Sequence, residues 1–316
     1  MNKIDFIIVG AQKSASSFLH DCVASCPKVH SPSGETAVFE SPEWEKGSLK
    51  SFLSTIEEIP EDHVFGIKRP NNLCIEDVPE RIAKTFPKTK IVVVLRNPLD
   101  RFNSAFHHYI ADGFWPPVPL NKGVQQLLDR TQIDKWKRAE EIVNFSLYSP
   151  GLQRYIKKFG KNQCYFTTHD DIVKNASKEI EKALEFIGVT PDFNKDLLNL
   201  RPQKVEYGVM RLRWTTLRNR FLYTYNSDRT RLAPRPEKSS TNQIALKAWT
   251  YCDRVVRKVI PPHKAEKPSF NEESLKRLAP LFINDIEETE SLTGLDLSSW
   301  KNDPRMRAGL ALKACA

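Results

Sequence analysis

The sequence lacks long hydrophobic runs, a dense set of cysteines and any internal repeat. No run among its 316 residues approaches the roughly 20 apolar residues of a membrane-spanning helix, and residues 4–9 are too short for the core of a signal peptide. The six cysteines are scattered through a chain long enough to bury a core, which predicts reduced thiols and no disulfide framework. These absences predict a cytoplasmic protein without a membrane span.

Clusters of metal-ligating residues are also missing. Cys22 and Cys26 are four residues apart on a predicted helix, but a metal site there would need further cysteine or histidine ligands nearby in space. Two small apolar side chains at this spacing are explained as well by helix packing. We therefore predict no metal site.

Positive charge is abundant but local. The chain is 40% hydrophobic and 28% charged, as folded proteins are, and its net charge of +9 implies an anionic partner such as a nucleotide, a nucleic acid, an acidic polysaccharide or a membrane surface. Residues 201–235 carry nine basic and two acidic residues, and residues 301–316 carry four basic and one acidic. These two segments contribute +7 and +3, so the other 265 residues sum to −1.

The hydrophobic pattern alternates between short β-branched runs and amphipathic segments. This predicts an α/β fold whose central, mostly parallel sheet is flanked by helices in three layers. Strands are predicted at residues 4–9, 64–68, 90–95 and 163–167, and helices at 16–25, 78–86, 100–110, 170–187 and 275–292.

The same pattern predicts one domain with a tail. The predicted parts are a single domain over residues 1–300, made of a cofactor-binding core at 1–195, a variable basic acceptor or lid region at 196–270 and a closing helix at 271–300, then a tail at 301–316. Residues 306–316 are amphipathic, which fits a helix that binds a partner, but such segments are more often frayed chain ends, and we expect fraying here.

Residues 10–17 (GAQKSASS) connect the first predicted strand to the first predicted helix. Such a connection forms an anion site, because free backbone N–H groups and the helix dipole face the ligand. Lys13 adds a positive charge, and it precedes the hydroxyls with no second glycine, so this is not a Walker A loop. The small residues that follow it are Ser14, Ala15, Ser16 and Ser17. By itself the motif fits an anion site and a plain strand–turn–helix with a serine N-cap equally well.

A second motif, residues 96–104 (RNPLDRFNS), follows the strand at 90–95. Arg96 stands at the carboxyl end of a buried parallel strand, where open α/β sheets bind ligands, and a guanidinium there suits a bidentate phosphate clamp. Ser104 comes about two helical turns later and is expected to reach the same phosphate. Asp100 is the expected N-cap of this helix. The alternative for Arg96 is an ion pair with a carboxylate at the sheet edge.

Together the two motifs resemble those of sulfotransferases. The segment from Lys13 to Ser17 resembles their 5′-phosphosulfate loop, usually Lys-x-Gly-Thr-Thr/Ser, and residues 96–104 resemble their 3′-phosphate motif. The resemblance covers residues 4–110, with weaker agreement over 160–190 and 272–300. It implies a P-loop-like fold and transfer of the sulfuryl group of 3′-phosphoadenosine 5′-phosphosulfate (PAPS) to a hydroxyl or amine. Ala15 stands where the family usually has glycine, and it is tolerated most easily if its backbone φ is negative.

Two further segments resemble the polysaccharide-type and bacterial sulfotransferases. Residues 34–39 (GETAVF) are similar to Lys-Glu-x-x-Phe-Phe, whose glutamate is a general base, although Gly34 replaces the lysine. Residues 68–73 (KRPNNL) are similar to Lys-Ser/Thr-Pro-x-Tyr-Leu, whose lysine lies in the active site; Ile67 replaces a glutamate that precedes it in the family. The resemblance therefore implies a base at Glu35, against the alternative of a solvated loop carboxylate.

The resemblance also assigns roles to the other residues. Lys13 and the loop amides would stabilise the leaving 5′-phosphate, and Lys68 would bridge the sulfate and that phosphate. The implied catalytic residues are Lys13, Glu35 and Lys68, and the implied PAPS-binding residues are Lys13, Ser14, Ala15, Ser16, Ser17, Arg96 and Ser104. The product would be adenosine 3′,5′-bisphosphate, and no metal is required. His107 and His108 are the rival base, because another subgroup uses histidine, but their place inside a helix favours a structural role.

The acceptor is the part of the function that the sequence defines least. The chain resembles bacterial enzymes that sulfate natural products, including saxitoxin-type alkaloids, which implies a small-molecule acceptor with a hydroxyl, amine or carbamoyl nitrogen. A glycan or a lipid-linked sugar is the main competing acceptor.

The basic segment at residues 211–221 (RLRWTTLRNRF) also bears on the choice of partner. It interleaves basic and aromatic residues as nucleic-acid-binding segments do, but it reads equally as a helix with a solvated charged face. We expect no nucleic-acid partner, and the oligomeric state stays open. From other classes, a P-loop small-molecule kinase and a non-catalytic nucleotide-binding or nucleic-acid-binding module remain alternatives.

Overall fold

The computed structural model describes residues 3–56, 58–199, 205–226, 230–234, 240–261 and 265–314. The strands within them are β1 (Phe6–Gly10), β2 (Val29–His30), β3 (Val64–Lys68), β4 (Lys90–Leu95), β5 (Cys164–Thr168), β6 (Tyr223–Tyr225) and β7 (Leu232–Pro234). The α-helices are α1 (Ser16–Ala24), α2 (Ser48–Ser54), α3 (Val78–Thr85), α4 (Pro98–Ala111), α5 (Leu120–Leu128), α6 (Glu140–Asn144), α7 (Ser149–Phe159), α8 (His169–Lys174), α9 (Ala176–Ile187), α10 (Val209–Leu222), α11 (Ser240–Val259), α12 (Glu272–Thr293), α13 (Ser298–Lys301) and α14 (Pro304–Ala314).

The chain divides into two compact units. The first comprises Met1–Arg101, Leu147–Pro202 and Leu281–Asp303, and the second comprises Phe102–Ser146, Gln203–Pro280 and Pro304–Ala316. The predicted partition of the chain at residues 195 and 270 stays a prediction.

The first unit contains a five-stranded sheet in the order β2-β3-β1-β4-β5, with every pair parallel. Phe6 and Ile8 of β1 belong to a core that α1 and α9 complete, and the intervening Ile7 and Val9 are also buried. Both faces of the sheet are therefore covered, which explains why the strands read as continuous apolar runs. The predicted α/β fold is confirmed.

The parallel order brings the carboxyl ends of β1, β3 and β4 to one edge of the sheet. β1 pairs with β3 on one side, with Ile8 opposite Lys68, and with β4 on the other, with Gly10 opposite Val93. The loop after β1 and the residue after β4 consequently emerge at this edge, where α/β folds bind ligands.

Three local predictions differ from the structure. The helix predicted at 170–187 is two helices, α8 and α9, because the Asn175 side chain accepts a hydrogen bond from the Lys178 amide and starts a new helix. Helix α4 begins at Pro98, and Asn97, not Asp100, caps it by accepting from the Leu99 amide.

The tail prediction was also wrong for the described residues, since they form α14 with Met306 buried. Gly309 allows this packing, because a Cβ there would lie 2.4 Å from the Leu275 carbonyl of α12.

In the second unit, β6 and β7 pair antiparallel, and α10 packs against α11. Among the described residues, no helix is long and apolar enough to cross a membrane. The five cysteines within that part of the chain are free thiols, and Cys315 lies outside it.

Candidate active site

The loop between β1 and α1 has the geometry of an anion cradle. Lys13 and Ala15 adopt left-handed conformations with φ of 68° and 71°, which turns successive backbone N–H groups toward one side. Ala15 is the N-cap residue of α1 and makes no side-chain cap, so the amides of the first helical turn face outward. The negative φ that would accommodate Ala15 most easily is not observed. A left-handed backbone conformation at an alanine costs about 1–2 kcal/mol of folding free energy.

Lys68, at the end of β3, lies against this loop. Its ammonium is buried and donates a hydrogen bond to the Ser17 hydroxyl over 2.9 Å. The parallel pairing of β1 and β3 sets this approach, because it starts the loop after β1 beside the end of β3. The structure therefore brings together two of the residues that the sequence motifs single out.

The three serines of the loop differ in their surroundings. Ser17 is exposed, whereas Ser14 and Ser16 are buried. The Ser16 hydroxyl donates to the Ala11 carbonyl over 3.5 Å, and the Ser14 hydroxyl lies beside the buried Tyr148 phenol without completing a hydrogen bond of ordinary geometry. Ser17 is thus the serine best placed to offer its hydroxyl to a ligand.

Arg96 reaches the same loop from the end of β4. Its guanidinium is half-buried and donates to the Lys13 carbonyl over 3.0 Å. Its own carbonyl accepts a 2.7 Å hydrogen bond from the hydroxyl of Tyr148, whose pKa is raised by burial. The predicted alternative of an ion pair is not observed within the described residues, where the partner of the guanidinium is a backbone carbonyl.

Arg101 is a functional candidate that the sequence analysis missed. Its side chain is fully buried and donates to both the carbonyl and the side-chain oxygen of Gln12, over 3.2 and 2.9 Å. Gln12 in turn donates to Asn71. Arg101 therefore holds the base of the loop, and the available sequence signal was the second arginine of the motif at residues 96–104 (RNPLDRFNS).

Ser104 lies on α4, which begins in the first unit and ends in the second. The side chain of Ser104 is buried in the second unit. Its assignment to the 3′-phosphate stays a prediction.

Glu35 is exposed and is held by an arginine. The guanidinium of Arg69 donates to Glu35 over 2.7 Å and binds both carboxylate oxygens of the buried Glu40, with Nη2 2.7 Å from Oε2. Burial acts to lower the pKa of Arg69, but the hydrogen bonds and charges of Glu40 and Glu35 outweigh it and the pKa lies above its ordinary value. The Thr36 amide donates to the Lys68 carbonyl, so the Glu35 segment is tied to the end of β3.

Arg69 and Glu40 were also missed from the sequence. Arg69 stands where the family pattern has serine or threonine, and this departure was the available signal. The Glu35 carboxylate is consequently a paired group that is still exposed to solvent, and its role as the base stays a prediction.

The rival histidines lie in the second unit. His107 is buried, its Nδ1 is 2.8 Å from the Asn103 carbonyl, and burial lowers its pKa. His108 lies one turn from Asp112, with Nε2 3.5 Å from the carboxylate. Both geometries fit a structural role within α4.

A third histidine, His20, lies in the first unit near the loop. It is buried on α1, with Nε2 2.7 Å from the Ser31 hydroxyl and Nδ1 3.1 Å from Asp21. Burial lowers its pKa and the charge of Lys68 acts in the same direction, while Asp21 opposes them. His20 therefore links α1 to the segment that leads to Glu35.

The assembled residues suit an anionic ligand. Lys13, Lys68 and Arg96 supply positive charge around a loop of outward-facing amides. Phosphate and sulfate groups are recognised by this combination of amides, hydroxyls and cations. Within the described residues no group of histidine, cysteine and carboxylate side chains is arranged to hold a metal ion.

Comparison with known proteins agrees with this chemistry. Residues 3–220 match the sulfotransferase domain family. This chain belongs to that family. The family uses PAPS as its sulfuryl donor, so the chain is a transferase, and neither the kinase nor the non-catalytic module is supported.

Two of the relatives are human heparan sulfate enzymes. The chain is 30% identical over 200 residues to the human bifunctional heparan sulfate N-deacetylase/N-sulfotransferase 2, covering 60% of this chain and 22% of the relative. It is 24% identical over 183 residues to the human heparan sulfate glucosamine 3-O-sulfotransferase 6, covering 58% of this chain and 52% of that relative. The matches thus span about a fifth and about half of these relatives.

A solved structure extends the similarity in fold to nearly the whole chain. The sulfotransferase from Alicyclobacillus acidocaldarius superimposes with a TM-score of 0.63, covering 96% of this chain and all of that one, at 16% identity. The P-loop-like fold implied by the sequence resemblance is therefore confirmed.

Proposed function

We propose that this chain transfers the sulfuryl group of PAPS to a hydroxyl or amine of a glycan, releasing adenosine 3′,5′-bisphosphate. The observation that carries the proposal is the placement of Lys68 and Arg96 on the loop that follows β1. Both cations donate to neutral oxygen atoms there, so their charge is available to a dianionic ligand.

On the donor side, PAPS when bound supplies the sulfuryl group. The residues that fit its 5′ end are Lys13, Ser14, Ala15, Ser16 and Ser17. Lys13, Lys68 and the outward-facing amides stabilise negative charge that develops as the leaving group departs. Arg96 holds the 3′-phosphate and discriminates this donor from other adenine nucleotides, while Arg101 keeps the loop in place through Gln12. The assignment of Ser104 to this phosphate rests on the sequence motif alone.

On the acceptor side, Glu35 takes the proton from the attacking hydroxyl or amine. Arg69 holds the carboxylate in position, and the Thr36 amide fixes its segment to Lys68. The segments that carry the base and the cation facing the donor are thereby joined by a backbone hydrogen bond.

The names of the relatives favour a glycan acceptor. Two of them are named for N- and 3-O-sulfation of heparan sulfate, so both an amine and a hydroxyl are reasonable acceptors. A small-molecule natural product is the second candidate, supported by the resemblance of the motifs to bacterial enzymes. A cytoplasmic location belongs to the same proposal.

Two measurements test this function in sequence. In differential scanning fluorimetry, adenosine 3′,5′-bisphosphate should raise the melting temperature and ATP–Mg²⁺ should not, because a ligand that prefers the folded state stabilises it. A PAPS-dependent screen read by mass should then include N-deacetylated and N-acetylated heparan oligosaccharides beside small hydroxyl and amine compounds. Transfer only to small compounds would replace the glycan by the second candidate, and stabilisation by ATP–Mg²⁺ alone would refute the donor assignment.

A further inference from the structure

Exposed apolar side chains concentrate on α10 and α11. Among the described residues eight large hydrophobic side chains are exposed, and six of them lie on these two helices: Met210, Leu217, Phe221, Tyr251, Val255 and Val259. Those of α11 recur every fourth residue, with Tyr251 65% and Val259 77% exposed, so they form one stripe. An isolated exposed hydrophobic residue is ordinary, but a grouped set marks an interaction surface.

The same two helices are strongly basic. They carry eight basic residues and one acidic residue, a net charge of +7. The exposed cations of these helices that have no described carboxylate partner include Arg213 on α10, with Lys247, Arg254 and Lys258 on α11. The acidic residue, Asp253, is buried between the helices and accepts hydrogen bonds from Arg211, Trp214 and Arg257.

The inner face of this helix pair is already packed. Trp249 of α11 contacts Trp214 and stacks on Phe221 of α10, with ring centroids 5.4 and 4.3 Å apart. Asp253 and Arg211 complete the contact at 2.9 Å. Trp249, Asp253 and Arg257 lie on one side of α11, and the stripe of Tyr251, Val255 and Val259 lies on the opposite side. The contact with α10 therefore does not use this stripe.

We propose that the outer face of α11, with the stripe of Tyr251, Val255 and Val259, docks on the surface of an anionic lipid bilayer. Basic helices with aliphatic and aromatic side chains lie in the plane of such surfaces, since cations attract the headgroups and apolar side chains enter the acyl boundary. A polyanionic glycan would use the cations but offers no medium that favours exposed valine. A second copy placed face to face would bring two charges of +7 together.

The test is co-sedimentation of the full chain with vesicles. The protein should bind vesicles of phosphatidylglycerol and phosphatidylcholine, should not bind phosphatidylcholine alone, and should be released as salt increases. The triple variant Tyr251→Ser, Val255→Ser, Val259→Ser and the double variant Arg254→Gln, Lys258→Gln should each weaken binding by about tenfold or more. Val173→Ser on α8 is the matched control, because Val173 is 72% exposed in the other unit.

Binding to immobilised heparin separates lipid from polyanion recognition. The serine variant should keep heparin binding and lose vesicle binding, whereas the glutamine variant should weaken both. Equal vesicle binding by the serine variant and the unmodified chain would overturn the proposal, as would a concentration-dependent dimer that the serine variant abolishes. Unchanged melting temperatures of the variants show that folding is intact.

Discussion

Two groups of positively charged side chains in this protein differ in their partners: one group contacts neutral oxygen atoms and the other contacts a carboxylate. At the sheet edge, Lys68 and Arg96 donate to a serine hydroxyl and a backbone carbonyl, and no carboxylate among the described residues pairs with either. Between α10 and α11, Arg211, Arg218 and Arg257 converge on the carboxylate of Asp253. The charge of the first group has no counter-charge among the described residues, whereas the charge of the second group is partly neutralised by a carboxylate that joins two helices.

This difference shows why net charge is a poor guide to function. The segment 201–235 holds most of the excess charge, yet Arg211 in its middle is buried against Asp253. The expectation that the charged face of residues 211–221 is simply solvated was wrong at this position. The anion loop lies in the nearly neutral remainder of the sequence.

The largest effect is expected on stability, when the arginine cluster around Asp253 loses its carboxylate. Asp253→Ala leaves the buried Arg211 without its counter-charge, and we expect the free energy of unfolding to fall by about 3 kcal/mol. Urea denaturation measures it. Arg213→Ala, an exposed arginine on the same helix, is the control and should change stability by less than about 0.5 kcal/mol. Equal losses of unfolding free energy in Asp253→Ala and Arg213→Ala would show that the arginines around Asp253 do not stabilise the fold more than a solvent-exposed arginine does.

Arg96→Ala tests the cations at the sheet edge, which we propose bind the donor. We expect binding of adenosine 3′,5′-bisphosphate to weaken by about 10–100-fold, or about 1.5–3 kcal/mol, because a charged hydrogen-bonded contact is lost. Isothermal titration calorimetry measures this, with Arg213→Ala again as the unaffected control. Unchanged affinity would mean that Arg96 serves only the Lys13 carbonyl.

Glu35→Gln tests the acceptor side of the same site. With an acceptor found in the screen, kcat should fall by at least about tenfold because the proton acceptor is lost, while donor affinity stays unchanged. Steady-state kinetics separate the two quantities. A loss smaller than tenfold would leave Glu35 as a partner of Arg69 and return the base role to the histidines.

The pH dependence of stability follows from His20. Its pKa in the folded chain lies below the ordinary value of about 6.5, so the unfolded chain binds more protons between the two values. The free energy of unfolding should therefore fall as the pH drops from 7 through this window, and His107 contributes in the same sense. His20→Gln should flatten the decrease in a series of urea titrations. A dependence as steep as that of the unmodified chain would contradict the assignment.

The smallest effect concerns the loop backbone. Ala15→Gly removes the cost of a left-handed alanine but adds flexibility to the unfolded chain, so we expect stability to rise by at most about 1 kcal/mol. Donor affinity should stay unchanged. Loss of affinity in calorimetry would show that the Ala15 methyl group shapes the cradle.

Much of the first unit was predictable because its signals are local. Residues 64–68 and 90–95 are strands as predicted, and the parallel arrangement followed from continuous apolar runs separated by helices. The short β2 escaped prediction, since two residues carry no periodicity. The break at Asn175 depends on one side-chain cap within an otherwise continuous amphipathic pattern.

The sequence alone determined the fold class and the motifs that carry the anion loop, because strand character, loop chemistry and residue spacing are encoded within short segments. Only the tertiary structure decided which charges face each other across those segments. Arg69 with Glu35 and Glu40, Arg101 with Gln12, and Arg211 with Asp253 are each at least 29 residues apart in sequence. Their pairing depends on sheet order and helix packing, and long-range packing of this kind leaves no periodic trace in the chain.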